Sequence, residues 1–243
     1  MNIILYQFLL KKKLYICIMN RSAKRIVLDV KDIMNDPIDN IFYEPDEDVV
    51  NMGYAMIIGP KDTPYENGYY FFDFIYPDNY PFAPPKIIFK TYDGKTRFNP
   101  NLYMNGYVCL SLLNTWPGEK WSACQSLRSI LLSLCTLFHE NPLINEPGIS
   151  IRNTNVEPYN NIIHYRNIEV AILKCLNIDD IEHNYKPFYP IIKKHFIQHY
   201  SSLKLDKPNE TYTTNIYNLY CETNYIKLSK ILELIYNELI KID

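Results

Sequence analysis

Hydrophobic and polar positions along this 243-residue chain change period several times, and each change marks an element. Ile26, Val27, Val30, Ile33 and Met34 recur at helical spacing, so the pattern predicts a helix over 22–35. Ser22 is placed to cap it, and Asn35-Asp36-Pro37 ends it. Three strand-like runs follow, at 53–58, 69–76 and 86–90. The connections between them are short and turn-rich, Gly59-Pro60-Lys61-Asp62-Thr63-Pro64 through Asn67-Gly68 and then 77–85, which favours an antiparallel meander. Tyr80-Pro81-Phe82-Ala83-Pro84-Pro85 lacks ladder donors and reads as a rigid connector at the sheet's end.

Further on, Ser122-Ala123-Cys124-Gln125 has the form of a capping box. The helix it would open carries Leu127, Ile130, Leu131, Leu134, Leu137 and Phe138 on one face and stops before Asn141-Pro142. From about Tyr159 the pattern is helical, without strong strands. Candidate stretches run from Ile162 to Leu176, Ile191 to Leu203 and Ile226 to Ile235, with a break at Lys207-Pro208. Helix, sheet, loop, helix is the order of an α+β layer architecture. The expected division is a leader over 1–20, a core over 21–158 and a helical extension over 159–243 packed back on the core.

Composition narrows this only slightly. Hydrophobic residues make up 47% and charged residues 21%, values ordinary for a globular chain. A net charge of −2 supplies no field for nucleic acid. The apolar start is split by Lys11-Lys12-Lys13, and neither side reaches the roughly 18–20 residues that span a bilayer. A poorly ordered leader, a segment upstream of a start at Met19, and a weak membrane-surface anchor all fit. Six cysteines without a Cys-x-x-Cys pair suggest neither zinc nor a disulfide framework, and fit a reducing cytoplasmic or nuclear compartment. Cys135, among leucines, reads as a small buried hydrophobe. His195 and His199 have helical i,i+4 spacing but no third ligand in view, which makes a solvated helix face the better reading than a metal pair.

The candidate chemistry sits in Phe98-Asn99-Pro100-Asn101, followed after Asn105-Gly106 by Val108-Cys109-Leu110. If the stretch after Asn105-Gly106 is extended, Val108, Leu110 and Leu112 share a buried face. Cys109 and Ser111 then point outward, and the sulfur is presented on a surface near the Asn101 amide.

These residues resemble the ubiquitin-conjugating enzymes, in particular the larger members with a helical C-terminal extension. Four blocks match in order: the first helix ending at Asp36-Pro37, the run Gly59 to Gly68, Tyr80 to Lys86, and Asn99-Pro100-Asn101 with Cys109-Leu110. Trp121-Ser122-Ala123 and Asn141-Pro142 through Gly148 extend the likeness, so it covers roughly 22–148. The resemblance implies a four-stranded UBC-like fold and a thioester-forming role for Cys109. An activating enzyme, in an ATP-dependent pathway, would hand ubiquitin or a ubiquitin-like modifier to Cys109. A substrate amine, usually lysine, would then take it, often with a ubiquitin ligase holding the protein substrate. No cofactor and no metal is implied.

A free cysteine, with a pKa near 8.5, is about a few per cent thiolate at neutral pH, enough for exchange between similar thiols without a strong base. Asn101 matches the family asparagine. It either donates to the tetrahedral oxyanion, on the order of 10²–10³ in rate, or braces its own loop. Two departures stand out. Asn99 replaces the usual histidine before Pro100, and Asn141 replaces an aspartate that orients or deprotonates the incoming lysine. Glu140, beside His139, is the carboxylate available for that task, or else a solvated residue at a helix end. The implied ligase contacts are Lys24, Phe82, Ser122 and Ala123, with Ala123 standing where a proline is common. Trp116, in the insertion 115–120, either packs over the active-site groove or fills its loop. The missing aspartate leaves a second reading open, a catalytically weak scaffold that holds ubiquitin or a ligase.

Overall fold

The computed structural model describes residues 20–241, so the expected leader lies outside it except for Asn20. The first helix, α1 (Arg21–Asn35), is capped by Asn20, whose side chain accepts from the Ala23 N–H at 2.8 Å. Ser22, the expected cap, is instead buried in the first turn and donates to the Pro77 carbonyl at 3.1 Å. Both residue types cap well, and the one lying just before the first helical residue took the role.

Four strands follow: β1 (Ile41–Pro45), β2 (Met52–Ile58), β3 (Tyr69–Ile75) and β4 (Lys86–Phe89). They form an antiparallel meander in the order β1-β2-β3-β4. β1 lay outside the three runs read from the pattern. It is a five-residue edge strand ending in proline, the place in a sheet where a missing N–H is tolerated.

An antiparallel sheet commonly shows one face to water, yet β2 and β3 are almost wholly buried. The reason lies in β3, Tyr-Tyr-Phe-Phe-Asp-Phe-Ile, which has no polar alternation until Asp73. Tyr70 and Phe72 face inward onto Phe138, with ring centroids 4.5 and 6.5 Å away. Phe71, on the other face, stacks on Tyr185 at 4.5 Å, and Tyr69 donates to the Ile192 carbonyl at 3.2 Å. The chain beyond residue 158 thus covers the outer face.

The inner layer is α2 (Leu127–Cys135), which keeps Leu127, Ile130, Leu131 and Leu134 buried. It begins five residues after the expected cap. Ser122 closes a turn, its carbonyl accepting from Gln125 N–H at 3.0 Å, and the box is made by Ser126 and Ser129 instead. Arg25 of α1 holds the intervening segment out of the helix by donating to the carbonyls of Ala123 (3.0 Å) and Gln125 (2.5 Å).

The last part contains α3 (Val156–Arg166), α4 (Tyr189–His199), β5 (Thr211–Thr214), β6 (Leu219–Glu222) and α5 (Tyr225–Leu239). One correction to the expected extension follows. It is not purely helical, because β5 and β6 pair as a hairpin of four-residue strands, too short to show a period. α3 starts at Val156, and one hydrophobic core runs through Leu131, Phe138, Tyr159, Ile163 and Phe196. Among the described residues no helix is long and apolar enough to cross a membrane.

Candidate active site

Gly106 sets the path of the central loop. Its φ is +85°, and an added Cβ would lie 2.9 Å from Ile88 Cγ2 and from the Phe89 carbonyl oxygen, so no side chain fits. That close approach lets the loop dock on the edge of β4, with Phe89 N–H donating to Gly106 O at 2.8 Å and Ile88 bridged to Tyr107. From there the chain pairs back along the Asn-Pro-Asn turn. Leu102 bridges Val108, and the Cys109 N–H donates to the Asn101 carbonyl at 2.8 Å.

Asn101 returns the bond. Its Nδ2 donates to the Cys109 carbonyl at 2.9 Å, which locks the two residues together reciprocally. Its Oδ1 is buried without a hydrogen-bond partner. The turn beneath is held by Asn99, which is fully buried. Asn99 Nδ2 donates to Leu137 O (2.8 Å) and to the Tyr65 hydroxyl (3.1 Å), while its Oδ1 accepts from Asn101 N–H at 2.9 Å. Burial holds the Tyr65 phenol far above its ordinary pKa, so it stays protonated and donates to Phe98 O at 2.6 Å. Pro100 lies in the same buried turn, and Arg97 donates to the carbonyls of Asn99 (3.2 Å) and Pro100 (2.7 Å).

Cys109 itself departs from expectation. Val108 and Leu110 are buried as the alternation requires, but Cys109 is only 3% exposed, not displayed on an open face. The extended stretch ends at Leu110, and Ser111–Leu113 turn as a 3₁₀ helix that buries Leu113 rather than Leu112. The insertion then folds back: a Cβ at Gly118 would sit 3.1 Å from Ser111 Cβ, and Trp121 N–H donates to Asn114 Oδ1 at 3.0 Å. Thr115 closes the cover. Its hydroxyl oxygen accepts from Leu110 N–H at 2.9 Å and lies 2.9 Å from the Val108 carbonyl, one bond on either side of the cysteine. Trp116 is half-buried in this insertion. Beside it, a groove of about 420 Å³ runs between β4 and the loop, lined by residues including Ile88, Tyr107, Val108 and Thr115.

The loop after α2 is built more loosely. Glu140 is exposed, and Asn141 is half-buried. Asn160 of α3 ties them down, its Nδ2 donating to Glu140 O (3.0 Å) and to Asn141 Oδ1 (3.1 Å). His139 Nδ1 accepts from Asn141 N–H at 3.3 Å, which leaves the proton on Nε2 to donate to Asn145 Oδ1 at 3.0 Å. Both ring nitrogens are therefore engaged locally.

Lys24, Phe82, Ser122 and Ala123 meet on another surface. Phe82 is 71% exposed, and Lys24 and Ser122 are exposed as well. Their elements are joined by Arg25, whose Nε pairs with Asp29 at 2.8 Å, and by Tyr80, which donates to Asp29. Trp121 Nε1 completes the join on Pro81 O at 2.7 Å. The i,i+4 spacing of Arg25 and Asp29 was the available sequence signal for this bracket. Tyr65, Thr115 and Asn160 carried no local signal, because their partners are distant in sequence or on the far side of a turn.

His195 and His199 stack with centroids 4.1 Å apart, and the Tyr69 hydroxyl lies 3.1 Å from His195 Nδ1. His195 is thus packed against the sheet, not solvated as expected, and burial, followed by His199, lowers its pKa to about 4. Among the described residues no cluster suits a metal ion, and the described cysteines are all free.

Residues 25–167 match the family model described as ubiquitin-conjugating enzyme. "Ubiquitin-conjugating enzyme E2 Z" of Xenopus tropicalis is 42% identical over 160 residues, covering 65% of this chain and 51% of that protein. Its counterpart in Homo sapiens is 38% identical over 179 residues, 72% of this chain and 50% of its own. "Probable ubiquitin-conjugating enzyme E2 23" of Arabidopsis thaliana is 37% identical over 179 residues, 71% of this chain and 16% of its own. The chain therefore spans about half the length of the E2 Z relatives it matches.

Proposed function

The chain belongs to the ubiquitin-conjugating enzyme family, and from that premise we propose that Cys109 carries ubiquitin, or a ubiquitin-like modifier, as a thioester and passes it to a substrate amine. The reciprocal bonding of Cys109 and Asn101 is the observation that carries this reading. It fixes the cysteine backbone on a buried, cross-braced turn beside the Asn101 amide.

In the first step the Cys109 thiolate attacks the carbonyl of the activating enzyme's thioester. A new C–S bond forms, and the activating enzyme's sulfur leaves as thiolate. The exchange is between similar thiols and needs no strong base. The engagement of both His139 nitrogens supports this over a Cys/His dyad. In the second step an amine attacks, a C–N bond forms, and Cys109 departs as thiolate. One N–H of the Asn101 amide holds the Cys109 carbonyl and the other is left for the oxyanion, so bracing and stabilisation are compatible roles. Glu140, exposed next to Asn141, is the carboxylate offered to an incoming ammonium. The surface carrying Phe82, Lys24, Ser122 and Ala123 is the proposed ligase contact. Cys109 is buried, so a modifier's tail must gain access to the sulfur before transfer.

That same burial is what favours the scaffold reading, and one assay separates the two. Protein, activating enzyme, ATP and ubiquitin are incubated and resolved with and without reductant. A reductant-sensitive adduct is expected in the parent protein and in Cys135→Ala, and none in Cys109→Ala. Absence of any adduct on the parent protein overturns the enzyme reading. Glu140→Gln, loaded and then given free lysine, is expected to discharge more slowly; unchanged discharge removes the carboxylate from the mechanism.

A further inference from the structure

The turn joining β5 and β6 does more than close a hairpin. Tyr217 and Asn218 within it have φ of +64° and +48°, a backbone conformation that a tyrosine rarely adopts. Strain of this kind persists where surroundings over-determine it and clusters at sites with a task. The surroundings here are specific. The Tyr217 ring lies 5.0 Å from the Arg97 guanidinium carbon, and that guanidinium also sits 3.3 Å from the centroid of Tyr103. The Tyr217 hydroxyl donates to Glu146, at the end of the turn that follows Asn141. Asn215 N–H anchors the hairpin by donating to Asn155 Oδ1 at 2.9 Å.

We propose that Tyr217 is a positioning residue for the transfer step. It acts through Arg97 on the Asn99–Asn101 turn and through Glu146 on the loop that carries Glu140 and Asn141. Arg97 donates from one guanidinium to the carbonyls of Asn99 and Pro100, the residues immediately before Asn101. Its planar fork keeps both bonds only while the plane is held, and a tyrosine against the guanidinium restricts that plane. Tyr217 touches neither Cys109 nor Asn101. Because its ring meets Arg97 and its hydroxyl meets Glu146, it couples the sulfur-bearing side to the amine-receiving side. The C-terminal hairpin is thereby a working part of the site.

This inference rests on the proposed function for its activity readout, so a second readout independent of any modifier accompanies it. Tyr217→Ala, Tyr217→Phe and Arg97→Lys are compared with Tyr220→Ala, a control in the same hairpin whose side chain is 60% exposed. In the full chain, amide hydrogen exchange is followed over 97–110, and discharge of loaded Cys109 to free lysine is timed alongside loading. Tyr217→Ala is expected to slow discharge roughly tenfold, with loading within about twofold of the parent. Exchange at Asn101 and Cys109 is expected to quicken by a similar factor. Arg97→Lys should reproduce both effects, while Tyr217→Phe, which keeps the ring on Arg97 but loses the hydroxyl's bond to Glu146, should restore slow exchange at Asn101 and Cys109 but only part of the discharge rate. If Tyr217→Ala matches Tyr220→Ala in exchange, or if loading and discharge fall together, the positioning role is wrong. A parent protein that never loads overturns the proposed function, while the exchange comparison still decides the clamp.

Discussion

The two loops that flank Cys109 are made in opposite ways. The Asn-Pro-Asn side is buried and cross-braced: Asn99 satisfies a carbonyl, a phenol and an amide from three separate segments, and Asn101 adds its bond to Cys109. The Glu140 side is open and depends on Asn160. Polar groups sealed from water must be paired, and their loss is costly, whereas an exposed loop can exchange its partners for water at little cost. The Asn99–Asn101 turn is held by bonds sealed from water, and the Glu140–Asn141 loop by bonds at the surface.

The sharpest way to break the contrast is Asn99→Leu. It strands the Leu137 carbonyl and the Asn101 N–H, takes one of two bonds from the Tyr65 hydroxyl, and is expected to cost about 3 kcal/mol or more of stability and to abolish loading. A melting curve together with the loading gel checks this, and a parent-like melt would deny the turn its rigidity. Thr115→Val is next. It keeps the shape but leaves the Leu110 N–H unpaired, so a loss of about 1–2 kcal/mol with severalfold slower loading is expected. Thr115→Ser should recover both. Asn160→Leu addresses the open side: discharge to lysine is expected to slow by about three- to tenfold while loading and melting hold. A large loss of stability there would show that the two sides are alike.

Acid sharpens the comparison further with the smallest effect. His164, on the same helix as Asn160, accepts or donates at 2.9 Å to the Tyr225 hydroxyl. Burial, with Lys207 and Lys204 nearby, lowers its pKa to about 3. A folded pKa below the unfolded value of about 6.5 means the unfolded chain binds more protons through that interval. The contribution is therefore present above pH 6.5 and fades as pH falls towards 3, on the order of 1–2 kcal/mol by pH 5. Hydrogen exchange at pH 4 is expected to quicken in α3 and at Asn141 before it does at Asn101. His164→Gln should flatten that dependence.

Much of the architecture was legible because it repeats. The periodicities of α1, α2 and α5 and the strands β2 to β4 stand out in the chain itself, and so does the Asn-Pro-Asn to cysteine spacing. What escaped was short or made by partners far away. β1 is an edge strand ending in proline, β5 and β6 pair only with each other, and Ser126 caps the helix where Arg25 holds the carbonyls of Ala123 and Gln125. The burial of Cys109 likewise has no signal in the local pattern. An alternation rule looks along a strand, and here the strand-like stretch gives way to a 3₁₀ turn after Leu110 while Cys109 is buried. The apolar stretches of β2 and β3, which lack polar alternation, are the signal in the sequence that both sheet faces are covered.

The interior of this protein is unusually rich in tyrosine, and each phenol has an address. Tyr65 reaches Phe98, Tyr69 reaches α4, Tyr70 reaches Asn167 beyond α3, and Tyr159 reaches Arg97. An aliphatic interface can slide by a residue and still be oily, but these contacts are keyed, since a shifted helix would leave hydroxyls facing hydrocarbon. The C-terminal segments are thus indexed to the sheet in a single alignment. Any redesign that swaps them between relatives must carry the lock residues with the key.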